Sequence, residues 1–151
     1  VEIKNDNLSG PEIQSLLEEH LKFMYAVSPP ESVHALNLEE LRQPEITFWS
    51  AWEDGDLMGC GALKALGPTE GEIKSVNTVI RHRRKGVANR IMDHIITTAR
   101  KSGYKRLYLE TGSEPKFSPA RRLYASLGFS ICAPFADYNN DPLSTFMTLE
   151  L

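Results

Sequence analysis

The chain of 151 residues predicts a single domain built around a mixed α/β sheet. Three observations lead there. Residues with strong β preference fall into consecutive runs separated by the turn pairs Asp54-Gly55 and Gly67-Pro68. Other segments carry apolar residues at helical spacing. The two kinds of segment interleave with no linker, internal repeat or low-complexity tract, and the length suits one core.

Taken in order, Ser9-Gly10-Pro11-Glu12 has capping-box spacing with proline in the first turn. Ile13, Leu16, Leu17, Leu21 and Met24 then mark one face of a helix that ends near Ala26. Ser28-Pro29-Pro30-Glu31 stops it, because each proline ring disfavours helix at the residue before it. Residues 33–42 read as a loop with a short helix in LNLEELR. Residues 46–53 and 57–66 are two strands across the Asp54-Gly55 turn, with Gly59 and Gly61 marking a bulge or a close backbone approach. Residues 72–80 form a third strand. Val87, Ile91, Ile95 and Ala99 form a helical stripe, with Ala88, Met92 and Ile96 beside it, and Gly103 stops that helix. Residues 107–109 are a strand, 119–127 a helix closed by Gly128, and 130–133 and 144–149 the closing strands.

The totals exclude several classes. No run of apolar residues is long enough to cross a membrane as a helix, and the first residues, VEIKNDNLSG, form no apolar signal segment. Cys60 and Cys132 make neither a disulfide framework nor a metal set and read as reduced core thiols, so a cytoplasmic setting is expected. A net charge of −3 argues against general nucleic-acid binding. Against that background residues 81–85, RHRRK, stand out, and a glycine and an amphipathic helix follow at once. Amides at a helix start point outward unpaired, and the helix dipole is positive there. Gly86 and Ala88 leave room for a bulky anion, and Arg83, Arg84 and Lys85 add charge. The segment reads as a phosphate or pyrophosphate cradle, although neither GxxxxGK[ST] nor GxGxxG is present.

At these residues the chain resembles the GCN5-related N-acetyltransferases. Arg83-Arg84-Lys85-Gly86-Val87-Ala88 matches their [RQ]-x-x-G-x-[GA] signature, and Leu123-Tyr124-Ala125-Ser126-Leu127-Gly128-Phe129 matches their LYxxxGF segment. The element order matches over nearly the whole chain. Residues 28–36 and the tail from Pro134 resemble a bacterial small-molecule acetyltransferase subgroup. The resemblance implies a single α/β (α+β) domain with a mixed, mostly antiparallel central sheet flanked by helices.

It also implies roles. The anion becomes the pyrophosphate of acetyl-CoA, held by Arg83, Arg84, Lys85, Gly86, Val87, Ala88 and Asn89, chiefly through backbone amides. The pantetheine arm lies along Val76, Thr78 and Val79 as an added strand, with an amide near Thr78 on the thioester carbonyl. An alkyl amine is mostly protonated near neutrality, so a base is needed. Glu72 is the first candidate and His34 the second. Tyr124 matches the family's general acid for the departing thiolate. One departure stands out. Phe117 occupies a position where many members carry an asparagine on the pantetheine arm, and Thr111, Ser113 and Ser118 are the possible replacements.

The acceptor is expected between the first helix and the sheet, under a lid at residues 28–38, in a pocket drawing on Trp49, Trp52, Phe135 and Tyr138. A small-molecule amine, such as an amino acid, is the favoured acceptor, because no strongly acidic stretch invites a polycation. Acetylation of protein N-termini or lysines, an acyl-CoA-binding module without turnover, and a nucleic-acid module using residues 81–85 are the competing readings. A homodimer is plausible from the family alone.

Overall fold

The computed structural model describes all 151 residues. Its elements are β1 (Glu2–Asn5), α1 (Pro11–Val27), α2 (Leu38–Leu41), β2 (Ile46–Glu53), β3 (Asp56–Ala65), β4 (Glu70–Thr78), α3 (Val87–Lys101), β5 (Arg106–Gly112), α4 (Ser118–Ser126), β6 (Ser130–Ile131) and β7 (Ser144–Glu150). The strands form one seven-stranded sheet in the order β1-β2-β3-β4-β5-β7-β6. Only β4 and β5 run parallel; every other pair is antiparallel. That parallel step follows from α3, which carries the chain back across the sheet.

The core has two parts, one on each face. On one face α3 buries Val87, Ile91, Met92, Ile95, Ile96 and Ala99 against Trp49, Met58, Ile73, Leu107, Leu109 and Met147. Burying each large apolar side chain of this set contributes about 1.5–3 kcal/mol. On the other face α1 buries Ile13, Leu16 and Leu17 against Phe48, Leu57 and Ala62. No helix is long and apolar enough to cross a membrane.

Several boundaries differ from the sequence reading. The capping box at Ser9 does not form: Gly10 occupies the N-cap of α1, and the Ser9 hydroxyl donates to Asn7 Oδ1 at 2.6 Å. Pro11 does open the helix. A capping box forms instead at α2, where Asn37 and Glu40 bond reciprocally. β1 went unpredicted because its EIKN is polar, with only Ile3 not exposed. β4 is shifted from 72–80 to Glu70–Thr78, and Ile80 lies exposed in a 3₁₀ turn, Ile80–His82. The expected strand at 130–133 shrinks to Ser130–Ile131. The bulge expected near Gly59 and Gly61 is present. The β3–β4 register shifts between Cys60 and Ala62, and Ser75 turns to φ 57° opposite. Cys60 is fully buried there, and burial pushes its thiol up to about 12.

Candidate active site

β4 and β5 pair only from Glu70–Arg106 to Ile73–Leu109. Beyond that point both continue, β4 to Thr78 and β5 to Gly112, without pairing to each other. β4 keeps β3 on its other side and β5 keeps β7. The two strands therefore part, and β4 presents an open backbone edge over residues 74–78. By strand alternation Val76 and Thr78 turn their amides to this open edge, while Val79 turns its amide to β3 and donates to Met58 O at 2.9 Å. Val79 is thus removed from the expected track. Its side chain packs into the α1-side core.

The open edge leads into the basic turn. Arg84 and Gly86 both hold positive φ, 65° and 79°. Gly86 is the N-cap of α3 and brings no capping side chain, and a Cβ at that position would meet nothing within 4 Å. The first α3 bond is Arg90 N–H to Gly86 O, and none of the amides of residues 84–89 donates to a backbone carbonyl. These donors lack acceptors at the positive end of a helix, an arrangement suited to a phosphate-bearing ligand. The cationic side chains divide. Arg81 pairs with Asp56, and His82 is buried with Nε2 at 2.7 Å from Asp56 Oδ2 and Nδ1 at 3.2 Å from Lys85 Nζ. Those contacts hold the turn against the β2–β3 hairpin. Arg83 and Arg84 stay exposed, and Arg83 lies close enough to α1 to depress His20, whose burial is the larger cause. The basic run is therefore partly a structural clamp, with Arg83 and Arg84 left for an anion.

Between the parted strands lies a cavity of about 150 Å³, bordered by Glu72, Val76, Glu110, Thr111, Phe117 and Tyr124 among others. α4 presents Tyr124 from one side, half-buried against Phe129, and burial raises its phenol to about 12. The ring of Phe117 lies against Gly112, where a Cβ would come within 2.0 Å of it, and meets Phe23 of α1 edge-on. Of the three hydroxyls proposed to replace an asparagine there, Ser113 donates to Pro142 O and Ser118 accepts from Arg122, whereas Thr111 borders the cavity.

A second, more open cavity of about 420 Å³ adjoins the first and shares His34, Glu72 and Lys74 with it. Glu72 does not stand on a surface. It is 2% exposed, and its Oε2 accepts from Lys74 Nζ at 2.9 Å and from the Tyr138 hydroxyl at 2.6 Å. Lys74 Nζ also donates to Tyr138 Oη at 2.8 Å, closing a three-membered network. Burial, then the Glu72 charge, holds the Tyr138 phenol well above its ordinary value. His34 packs edge-on against Tyr138 with centroids 5.0 Å apart; burial, then Lys74, lowers its pKa, which favours the neutral ring at neutrality. The segment carrying His34 is latched across the opening, because buried Ser32 donates to Asp141 Oδ2 at 2.6 Å. That bond is the main cause that lowers the Asp141 carboxyl.

Two expected pocket residues lie elsewhere. Trp49 is buried under α3 against His94, and Trp52 sits by β1, with Lys4 over its ring. Tyr138 does line the mouth, whereas Phe135 packs behind it against Tyr108 and Phe146 and borders a separate groove with Tyr108 and Cys132. Sequence reasoning passed over Glu110, although LYLETG places it on the same strand face as Tyr108. The charge at Glu110, directly after the apolar Leu107-Tyr108-Leu109, was the available signal.

A parted parallel pair, free amides at a helix start and a tyrosine between them are the parts that a transferase with a phosphate-bearing acyl donor would need. The chain matches the Acetyltransferase (GNAT) family over residues 13–129, and it belongs to that family. It is 60% identical over 99% of both chains to a Bacillus subtilis (strain 168) protein described as the uncharacterized N-acetyltransferase YsnE. It is 46% identical to the Escherichia coli (strain K12) protein described as the uncharacterized N-acetyltransferase YedL, over 99% of this chain and 94% of that one. Its fold is shared by a GNAT family acetyltransferase from Elizabethkingia anophelis solved with acetyl-CoA bound, with TM-score 0.72 and 20% identity over 99% and 97% of the two chains. The protein is a GNAT N-acetyltransferase.

Proposed function

We propose that the protein moves an acetyl group from acetyl-CoA directly to the primary amine of a small molecule, with an amino acid or a related amine as acceptor. One observation carries this reading. The open β4 edge at residues 74–78 lies between the Glu72–Lys74–Tyr138 network at one end and, across the Ile80–His82 turn, the free amides of residues 84–89 at the other. Acetyl-CoA supplies the activated acyl carbon and a thiolate leaving group. The amides of residues 84–89, with Arg83 and Arg84, hold its pyrophosphate. The edge at residues 74–78 binds the arm as an added strand. Val76, rather than Thr78, is the open-edge amide that borders the cavity, so it is the donor to the thioester carbonyl oxygen. Tyr124 keeps its proton at neutral pH and gives it to the departing sulfur.

The acceptor enters through the mouth at His34. The Glu72 carboxylate, bonded to Lys74 and Tyr138 and with His34 beside it, attracts the acceptor's ammonium and orients it. The mouth carries both signs of charge, with Lys64 and Lys74 beside Glu31, Asp137 and Asp141, which suits a zwitterion. Its size and the Ser32–Asp141 latch favour a small acceptor over a protein chain. The test is release of CoA thiol from acetyl-CoA with the amino acids, other small amines and peptides bearing free N-termini or lysines. Turnover fastest with an amino acid or small amine is expected. Turnover only with peptides would move the reading to protein acetylation, and binding without any turnover would make the protein an acyl-CoA sensor.

A further inference from the structure

Two carboxylates border the cavity, and they are in different circumstances. Glu72 already accepts two hydrogen bonds on one oxygen, from an ammonium and from a phenol. Glu110 has no such partners. It is the first β5 residue past the last β4–β5 pair, so its side chain stands where the strands part. Alternation puts it on the same face as Tyr108, whose β4 partner is Glu72, and therefore on the face that opens to the mouth. It borders the same cavity as Tyr124 and Val76. Resting on the transfer reading above, we infer that Glu110 is the catalytic base that takes the proton from the acceptor's ammonium, and that Glu72 is a positioning anion. The balance is simple. One N–H bond of the ammonium breaks and its proton goes to a Glu110 carboxylate oxygen, leaving the nitrogen lone pair to attack the acyl carbon. The C–N bond forms as the C–S bond breaks, the nitrogen releases a second proton to solvent, and the sulfur takes one from Tyr124.

The surroundings suit that task. Burial pushes the Glu110 carboxyl up to about 7; the Ser144 hydroxyl and the Lys74 ammonium oppose the rise, and the Glu72 and Asp141 carboxylates add to it. Tyr124 and Tyr138, the other titratable groups that sense Glu110, are both raised and stay neutral over the same range. A carboxylate that titrates near neutrality accepts a proton more strongly than one with an ordinary value and is still ionised at working pH. Glu72 already accepts from Lys74 and Tyr138 on Oε2, so that oxygen is engaged and less open to the acceptor's proton.

The experiment compares Glu110→Gln, Glu110→Asp and Glu72→Gln with the unmodified protein. CoA-thiol release is followed across pH with the amino acid that is turned over best and with hydroxylamine, which is already neutral at pH 7 and needs no base. The unmodified protein should show an acidic limb in kcat/KM near pH 7, rising with pH as Glu110 ionises. Glu110→Gln should lose that limb and roughly a hundredfold of the amino-acid rate, while hydroxylamine turnover falls only a few-fold. Glu110→Asp should recover part of the rate with a displaced limb. Glu72→Gln should raise KM for the amino acid and keep the limb. A limb that survives in Glu110→Gln and disappears in Glu72→Gln overturns the assignment and leaves the transferase reading standing. No thiol release from the unmodified protein with any amine overturns both.

Discussion

The basic turn at residues 83–89 and the mouth at Glu72 lie beyond the two ends of the open β4 edge at residues 74–78, and they are made of different parts. The turn is built of backbone: positive φ at Arg84 and Gly86, and amides without acceptors. Its side chains mostly face solvent, and Arg81, His82 and Lys85 are spent on Asp56 and on each other. The mouth is built of side chains from segments far apart in the chain: Glu72 and Lys74 on β4, His34 after α1, and Tyr138 and Asp141 before β7. A backbone site tolerates many side-chain changes but not added bulk. A side-chain network fails when one partner is removed, because the others are buried.

The largest effect that can break this contrast is expected at the turn. Gly86→Asp places a side chain at φ 79° and a carboxylate beside the anion's amides. Acetyl-CoA affinity should fall by roughly a thousandfold, about 4 kcal/mol, in calorimetric titration; an unchanged Kd would remove the cradle. Tyr124→Phe should follow, with kcat down about a hundredfold and acetyl-CoA affinity kept. Equal kcat values would mean that the phenol only packs. Lys74→Met should cost about 3 kcal/mol of unfolding free energy in urea, because Glu72 is left charged and buried without its ammonium. Arg84→Ala at the turn should cost almost none, and equal losses would erase the distinction.

Glu110→Gln reports the same mouth through stability. The folded Glu110 carboxyl is raised to about 7 from an unfolded value of 4.5, so the folded state holds more protons between those values. Its contribution is therefore most favourable at low pH and is lost as pH rises through 7. The variant should be more stable than the parent above pH 7 by about 2 kcal/mol, after allowance for partial exposure, and the difference should vanish towards pH 4. The smallest effect is at the latch: Ser32→Ala should cost about 1 kcal/mol and raise the acceptor's KM a few-fold with acetyl-CoA binding unchanged.

The same contrast governs what could be read in the sequence. The turn was legible because glycine, small residues and basic residues beside an amphipathic stripe are contiguous, and backbone geometry follows from local sequence. Tyr124 was legible through its neighbours Leu123, Gly128 and Phe129. The mouth was not, because its distances arise only when β4, β5 and the tail are brought together. Glu72 stood out as a candidate base, but its burial and its bonds to Lys74 and Tyr138 did not. Trp49 and Trp52 looked like pocket walls and belong to other surfaces. Glu110 passed unnoticed because nothing local says that β5 leaves β4 immediately before it. β1 was hidden by its polarity, since pairing on one side with β2 requires no apolar pattern.

The central claim is that acetyl-CoA lies along the open β4 edge with its phosphates on the α3 start. ¹⁵N amide shifts recorded during titration with acetyl-CoA test it most directly. The account predicts the largest changes at residues 84–89, with Val76, Thr78 and Gly112 following and the β1–β2 end of the sheet unmoved. Changes centred instead on the groove at Tyr108 and Cys132, or spread with no focus at the α3 start, would contradict it.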